Sequence, residues 1–154
     1  MKNLIDFLKN GQLFIIPISV LIITQITKVL LESKHKKKIK LSYFGHYGGM
    51  PSSHTALFIS LTTIIFYNLG WKSPIFALSL IICAIMMRDA LGIRHHLGNH
   101  GLILKQLIKE HEESDHTHIK HDQIVTRLGH TPMQVFLGAI FGFLLTTLFY
   151  LLIN

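Results

Sequence analysis

Cysteine is nearly absent from this 154-residue chain: one residue, Cys83, rules out an intrachain disulfide framework. It lies within an apolar run and reads as a small buried hydrophobe. Acidic residues are also scarce, with 8 Asp and Glu against 15 Lys and Arg, for a formal net charge of +7. No Gly/Ser linker, low-complexity tract or internal repeat divides the chain, so residues 1–154 are expected to form one domain. No small-x-small cleavage pattern follows the first apolar run, which argues for a retained helix and against a cleaved signal peptide.

What the chain has in quantity is apolar sequence, 49% of it, gathered in runs with the charge between them. The runs span about Leu13–Leu31, Thr55–Trp71, Pro74–Met87 and Met133–Ile153. A helix needs about 20 mostly apolar residues to cross a bilayer core, with ~17 as a lower bound. The first and last runs meet this easily and the second only just. The third does so if it continues through Arg88-Asp89-Ala90-Leu91. The expected fold is therefore all-α: an integral membrane helical bundle of about four transmembrane helices.

Basic residues mark the cytoplasmic side of a membrane protein. Lys34, Lys36, Lys37, Lys38 and Lys40 fill the first connection, and Arg88, Arg94, Lys105, Lys109, Lys120 and Arg127 the third. The second connection offers only Lys72. Connections one and three are thus expected in the cytoplasm of a cell-membrane protein, with both termini outside. The run "KHKKKIK" fits a topology determinant attracted to anionic lipid. No nucleic-acid-binding module accompanies it, so nucleic acid is not an expected partner.

This pairing gathers the ionisable residues of the span ends on one side. Lys28 is near the inner end of span one, Ser52, Ser53 and His54 open span two, Arg88, Asp89 and Arg94 close span three, and His130 precedes span four. Ionisable groups at such depths are costly to keep and mark functional sites. In "MPSSHT", Pro51 suits a first helical turn and Ser52 or Ser53 an N-cap. In "GHTPMQ", Thr131 can cap with Pro132 at the first helical position. Two helix N-termini facing one place, each with unsatisfied N–H groups and about half a positive charge, form an anion site. Lys28 and Arg94 add full charges, and the guanidinium fork matches phosphate. His54 and His130 then supply an acid and a nucleophile for phosphoryl transfer. Singly, each histidine is as well explained as a polar residue capping a helix.

"GGMPSSHTA", "RDALGIRHHLG" and "LGHTPMQV", in that order ahead of a last apolar helix, resemble the divergent branch of the type 2 phosphatidic acid phosphatases. That superfamily also holds the vanadium-dependent haloperoxidases. The resemblance covers nearly the whole chain. It implies a helical bundle that hydrolyses phosphate monoesters or diphosphates through a phosphohistidine, with no metal or other cofactor. By the same resemblance His130 is the nucleophile, His54 the general acid, and Gln134 stands where the superfamily has an acid that orients the nucleophile. Lys28, Ser52, the Ser53 backbone and Arg94 would hold phosphate, with Arg127 an alternative to Arg94. No Arg-Pro pair follows Lys28, and Ser53 replaces the superfamily's usual glycine. The expected partner is a lipid phosphate or another phosphorylated small molecule. Four spans are few for this superfamily's core, which leaves room for a homo-oligomer that nothing in the residues requires. The competing expectation is a non-catalytic membrane protein that binds a phosphate headgroup or partner in the same pocket.

Two further features stand in the third connection. "LILKQLIKEH" has Leu102, Ile103, Leu107 and Ile108 at helical spacing, an amphipathic helix expected on the membrane or against the bundle, with His95, His96 and His100 at that interface. "KEHEESDHTHIKHD" mixes His111, His116, His118 and His121 with carboxylates. Its spacing matches no closed metal site, and it reads as a solvated mixed-charge loop.

Overall fold

The computed structural model describes residues 2–36, 49–115 and 129–154, all in helices or the short turns that join them. In chain order the helices are α1 (Lys2–Lys36), α2 (Ser53–Leu69), α3 (Pro74–Leu91), α4 (Ile93–Asp115) and α5 (Pro132–Ile153). Three stretches are long and apolar enough to cross a membrane: Leu8–Ser33, Pro74–His111 and Pro132–Ile153. Helix α2 is a shorter apolar helix, and it sits at the centre, packed against α1, α3 and α5.

The burial pattern is that of a protein whose solvent is lipid. On α1 the exposed stripe is Phe14, Ile18, Ile22, Ile26 and Leu30, while Gln12, Ile16, Val20, Thr24 and Lys28 face inward. Both stripes step by four residues, so they follow one helical face each. Gln12 and Lys28 are separated by about 24 Å along the axis, from a rise of ~1.5 Å per residue, so the polar ends of the inner stripe lie within a bilayer's reach of each other. At the Gln12 end, the Gln12 amide donates to Asn68 Oδ1 at 2.5 Å and accepts from Asn154 Nδ2 at 3.2 Å, which ties α1, α2 and the end of α5.

Central placement explains why α2 carries Ser60, Thr62 and Thr63, all buried. Facing other helices and not lipid, their hydroxyls find partners within the bundle. Ser60 Oγ accepts from Thr146 of α5 at 2.6 Å, and Thr62 donates to the Ser79 carbonyl of α3 at 3.4 Å. Cys83 is 1% exposed and belongs to this interior.

Helices α2 and α5 run parallel and pack closest where both carry small residues. Ser52, Ala56 and Ser60 step along α2 by four, and Gly138, Gly142 and Thr146 step along α5 in register. A Cβ added at Gly142 would lie 2.5 Å from the Ala56 carbonyl oxygen, and one at Gly138 would lie 2.6 Å from that of Ser52. Backbone contact of this kind supplies the close dispersion and polar contacts that hold helices together in lipid, where apolar burial drives association little. Further along, Tyr67 hydroxyl and Thr147 lie 2.9 Å apart and the Tyr67 and Tyr150 rings are 4.8 Å apart, extending the seam toward the other end.

In the third connection α3 ends where the expectation has it, and the helix that follows is longer than expected. Helix α3 runs on to Leu91, carrying Arg88 and Asp89 on its last turns, and only Gly92 separates it from α4. Helix α4 is more than twice as long as the amphipathic stretch 102–111, because "IRHHLGN" ahead of it also holds no proline and continues the helix. Among the described residues it packs on α3, and His96 and His100 are exposed. The side chains of Arg94 and His95, and residues Lys37–Lys40, His116, His118, His121 and Arg127, lie outside the described residues. Among the described residues, no three metal-ligating side chains converge.

Candidate functional site

One end of the bundle collects the N-termini of α2 and α5, the last turn of α3, the start of α4 and the inner part of α1. Two left-handed glycines lead into it, Gly49 with φ 97° and Gly129 with φ 86°. In this region a Cβ is strained and glycine is not, so each lets the chain turn sharply into a helix mouth.

At the α2 mouth, Ser52 is the N-cap and the helix begins at Ser53. Pro51 therefore precedes the cap and does not occupy the first turn, a correction to the expectation from sequence. The reason lies in the cap bonds. Ser52 Oγ accepts from the Thr55 N–H at 3.4 Å and from the Thr55 hydroxyl at 2.9 Å, and the first ladder bond runs from Ala56 N–H to the Ser52 carbonyl at 3.0 Å. The N–H groups of Ser53 and His54 precede that ladder, at the positive end of the helix dipole. Ser52 and Ser53 are buried, at 1% and 7% exposure, whereas His54 is exposed.

At the α5 mouth, Thr131 caps and Pro132 takes the first helical position, as the residue pattern predicts. Gln134 completes a reciprocal capping box: its N–H donates to Thr131 Oγ1 at 3.3 Å and its Oε1 accepts from the Thr131 N–H at 3.1 Å. This engages the carboxamide oxygen, the atom an imidazole N–H would need in order to be oriented. The motif "TPMQ" is itself a capping-box signature and could have been read as one from the sequence. Pro132 lacks an N–H and Gln134 has used its own, so of the first turn only the Met133 N–H faces outward.

The two mouths are joined directly, by the Ser52 N–H donating to the Gln134 carbonyl at 3.1 Å. His130, just ahead of the cap, donates its backbone N–H to the Ala90 carbonyl of α3 at 3.1 Å. That bond sets "GHTPMQ" beside "RDALG". His130 is half-buried and its Nδ1 is buried. Arg94 stands in the first turn of α4, four positions beyond Ala90.

Lys28 reaches the same end from α1. It is 5% exposed, and its Cε lies 2.6 Å from the point where a Cβ on Gly49 would stand. Glu32 Oε1 lies 2.7 Å from that point. A side chain at position 49 would displace both, so Gly49 lets the loop ahead of Ser52 pass against the lysine. The structure thus gathers Lys28, Ser52, Ser53, Gln134 and the His130 backbone around joined elements at one end. His54 opens outward from the same turn. Glu32 escaped the reading of the sequence because it stands between the first apolar run and "KHKKKIK", and neither reading covered it.

An all-helical bundle with lipid-facing apolar stripes and a polar end of this kind defines an integral membrane protein. The chain belongs to the Divergent PAP2 family, whose sequence model matches residues 9–145. It is 33% identical over 138 residues to the uncharacterized membrane protein YuiD of Bacillus subtilis (strain 168), a match covering 84% of this chain and 87% of that one. No solved structure matches the chain.

Proposed function

We propose that this protein hydrolyses a lipid phosphate or diphosphate at the cytoplasmic face of the cell membrane, through a phosphohistidine on His130. The observation that carries the reading is the α2 mouth. There buried Ser52 and Ser53 begin the helix at the end where buried Lys28 and the His130 segment also arrive. Such a mouth with a full positive charge beside it favours a phosphate anion.

With Nδ1 buried, attack falls to Nε2 of His130. It bonds to phosphorus as the P–O bond to the lipid alcohol, or to a lipid monophosphate, breaks. The His54 imidazolium gives its proton to the departing oxygen. Water then attacks phosphorus, its proton passes to His54, the N–P bond breaks, and inorganic phosphate leaves. Lys28 and the α2 N–H groups neutralise the charge gathering on the equatorial oxygens. Arg94 would add its fork from α4.

The test is release of inorganic phosphate by purified protein from a panel of lipid monophosphates and diphosphates. Release is expected from at least one lipid and is lost in His130→Ala; equal release by the variant sinks the reading. Placement is tested with Met50→Cys, since Met50 is exposed beside the mouth whereas native Cys83 is buried. An impermeant maleimide should spare Met50→Cys in intact cells and label it after permeabilisation.

One observation favours a second reading, a phosphate-headgroup binder without turnover: the Gln134 carboxamide oxygen is engaged in the cap. A neutral amide cannot stabilise an imidazolium as a carboxylate does, and the loss of such a charge costs about 10⁴ in rate in serine proteases. Trapping of phosphohistidine after a brief incubation with substrate would end that reading.

A further inference from the structure

The phosphate scheme uses Lys28 and leaves its neighbour unassigned. Glu32 lies one helical turn beyond Lys28 on α1, half-buried, at the end of the apolar stretch Leu8–Ser33. Both side chains close on the same point beside Gly49, and the Glu32 carboxylate acts electrostatically on the Lys28 ammonium. An ammonium at 5% exposure calls for a compensating charge, because a lone ion loses its hydration on burial and gains nothing in return. The inward face of α1 below it offers Thr24, Val20 and Ile16, none of them charged. Asp89 and Glu110 belong to α3 and α4, which do not pack against α1.

We propose that Glu32 is a positioning residue of the phosphate site, holding the Lys28 ammonium beside Gly49 until an arriving phosphate takes the ammonium from it. The proposal rests on reading Lys28 and the α2 mouth as a phosphate site. A phosphate bound there brings one or two negative charges next to a carboxylate, and like charges at a half-buried position repel more than they do in water. Glu32 therefore does two opposed things. It aims the lysine at the loop ahead of Ser52, and it sets a threshold that an anion must exceed to bind. A neutral isostere keeps the hydrogen-bonding shape and removes the threshold.

The experiment is a calorimetric titration of inorganic phosphate into the detergent-purified full chain, wild type against Glu32→Gln, with Lys28→Gln as the reference for loss of the site. Glu32→Gln is expected to bind phosphate about fivefold more tightly, the scale of one unfavourable charge contact at a partly buried site. Lys28→Gln is expected to lose binding. A second readout separates positioning from bulk stability: the rate at which a small acylating reagent modifies Lys28 should rise several-fold in Glu32→Gln and fall again when phosphate is added. If Glu32→Gln fails to fold, Glu32→Asp, with its carboxylate drawn back by one methylene, should act in the same direction by a smaller factor. Phosphate binding that is present but unchanged or weaker in the Glu32 variants overturns the proposal and leaves the phosphate site standing. Absence of binding in wild type and variants alike removes the site, and the proposal with it.

Discussion

In sequence the mouths of α2 and α5 look alike, each a left-handed glycine, a hydroxyl cap and a proline. In the fold they are unequal. The α2 mouth is buried at Ser52 and Ser53, and its proline falls before the cap, so the first helical position keeps its N–H. The α5 mouth is exposed at Thr131, Pro132 and Met133, has its proline inside the first turn, and closes on itself through the Thr131–Gln134 box. One mouth is a buried helix start, and the other an exposed one that carries His130 on its threshold. The proline stands one place before the cap in one mouth and one place after it in the other, and that difference decides which first-turn N–H groups exist.

The strongest way to break the comparison is to part the two helices. At Gly142 an added methyl would meet backbone at 2.5 Å, and backbone cannot rotate aside as a side chain can. Gly142→Ala is expected to cost about 2 kcal/mol, in the usual range for overpacking, read as a lowered melting temperature in detergent. Gly138→Ala meets Ser52 itself, so beyond a similar loss of stability it should also weaken phosphate binding, whereas Gly142→Ala, one turn away, should weaken it less. Equal effects of both on binding would show that the α2 mouth does not depend on its local fit to α5.

Next come the caps. Ser52→Ala removes the partner of a buried hydroxyl and a buried N–H, both on Thr55, and should cost about 2 kcal/mol. Thr131→Ala removes an exposed cap and should cost about 1 kcal/mol, the usual figure for such a loss. Thermal melts of the two variants side by side test this order; a larger loss for Thr131→Ala would reverse the assignment of the buried and the exposed mouth.

Much of this end was legible in the residues. The caps at Ser52 and Thr131, the helix starts and the side shared by Lys28, His54 and His130 follow from local rules about proline, hydroxyls and charge. The α2–α5 seam was also written in the chain, as Gly138-x3-Gly142 opposite Ser52-x3-Ala56-x3-Ser60. Spacing by four, however, marks a face and not its partner, and only the fold shows that these two faces meet. The length of α4 escaped because the helical periodicity was sought in "LILKQLIKEH", where the apolar residues are, and not in the polar "IRHHLGN" ahead of it. The task of Gln134 was read through a likeness to an acid in related proteins, when its own spacing from Thr131 already described a cap.

Gln134→Glu sharpens the comparison with the smallest change. Glutamate can fill the same position in a capping box, accepting from the Thr131 N–H as the amide does. A negative charge on the first turn is favoured by the helix dipole by about 0.3–1 kcal/mol, so α5 should melt slightly later and not earlier. The same carboxylate would stand where it can stabilise an imidazolium on His130. If turnover is limited by the missing charge, phosphate release should rise in Gln134→Glu while phosphate binding at the α2 mouth changes little. If release stays flat while the melting temperature rises, residue 134 belongs to the cap alone, and the orientation of His130 is set by the bond from its backbone to Ala90.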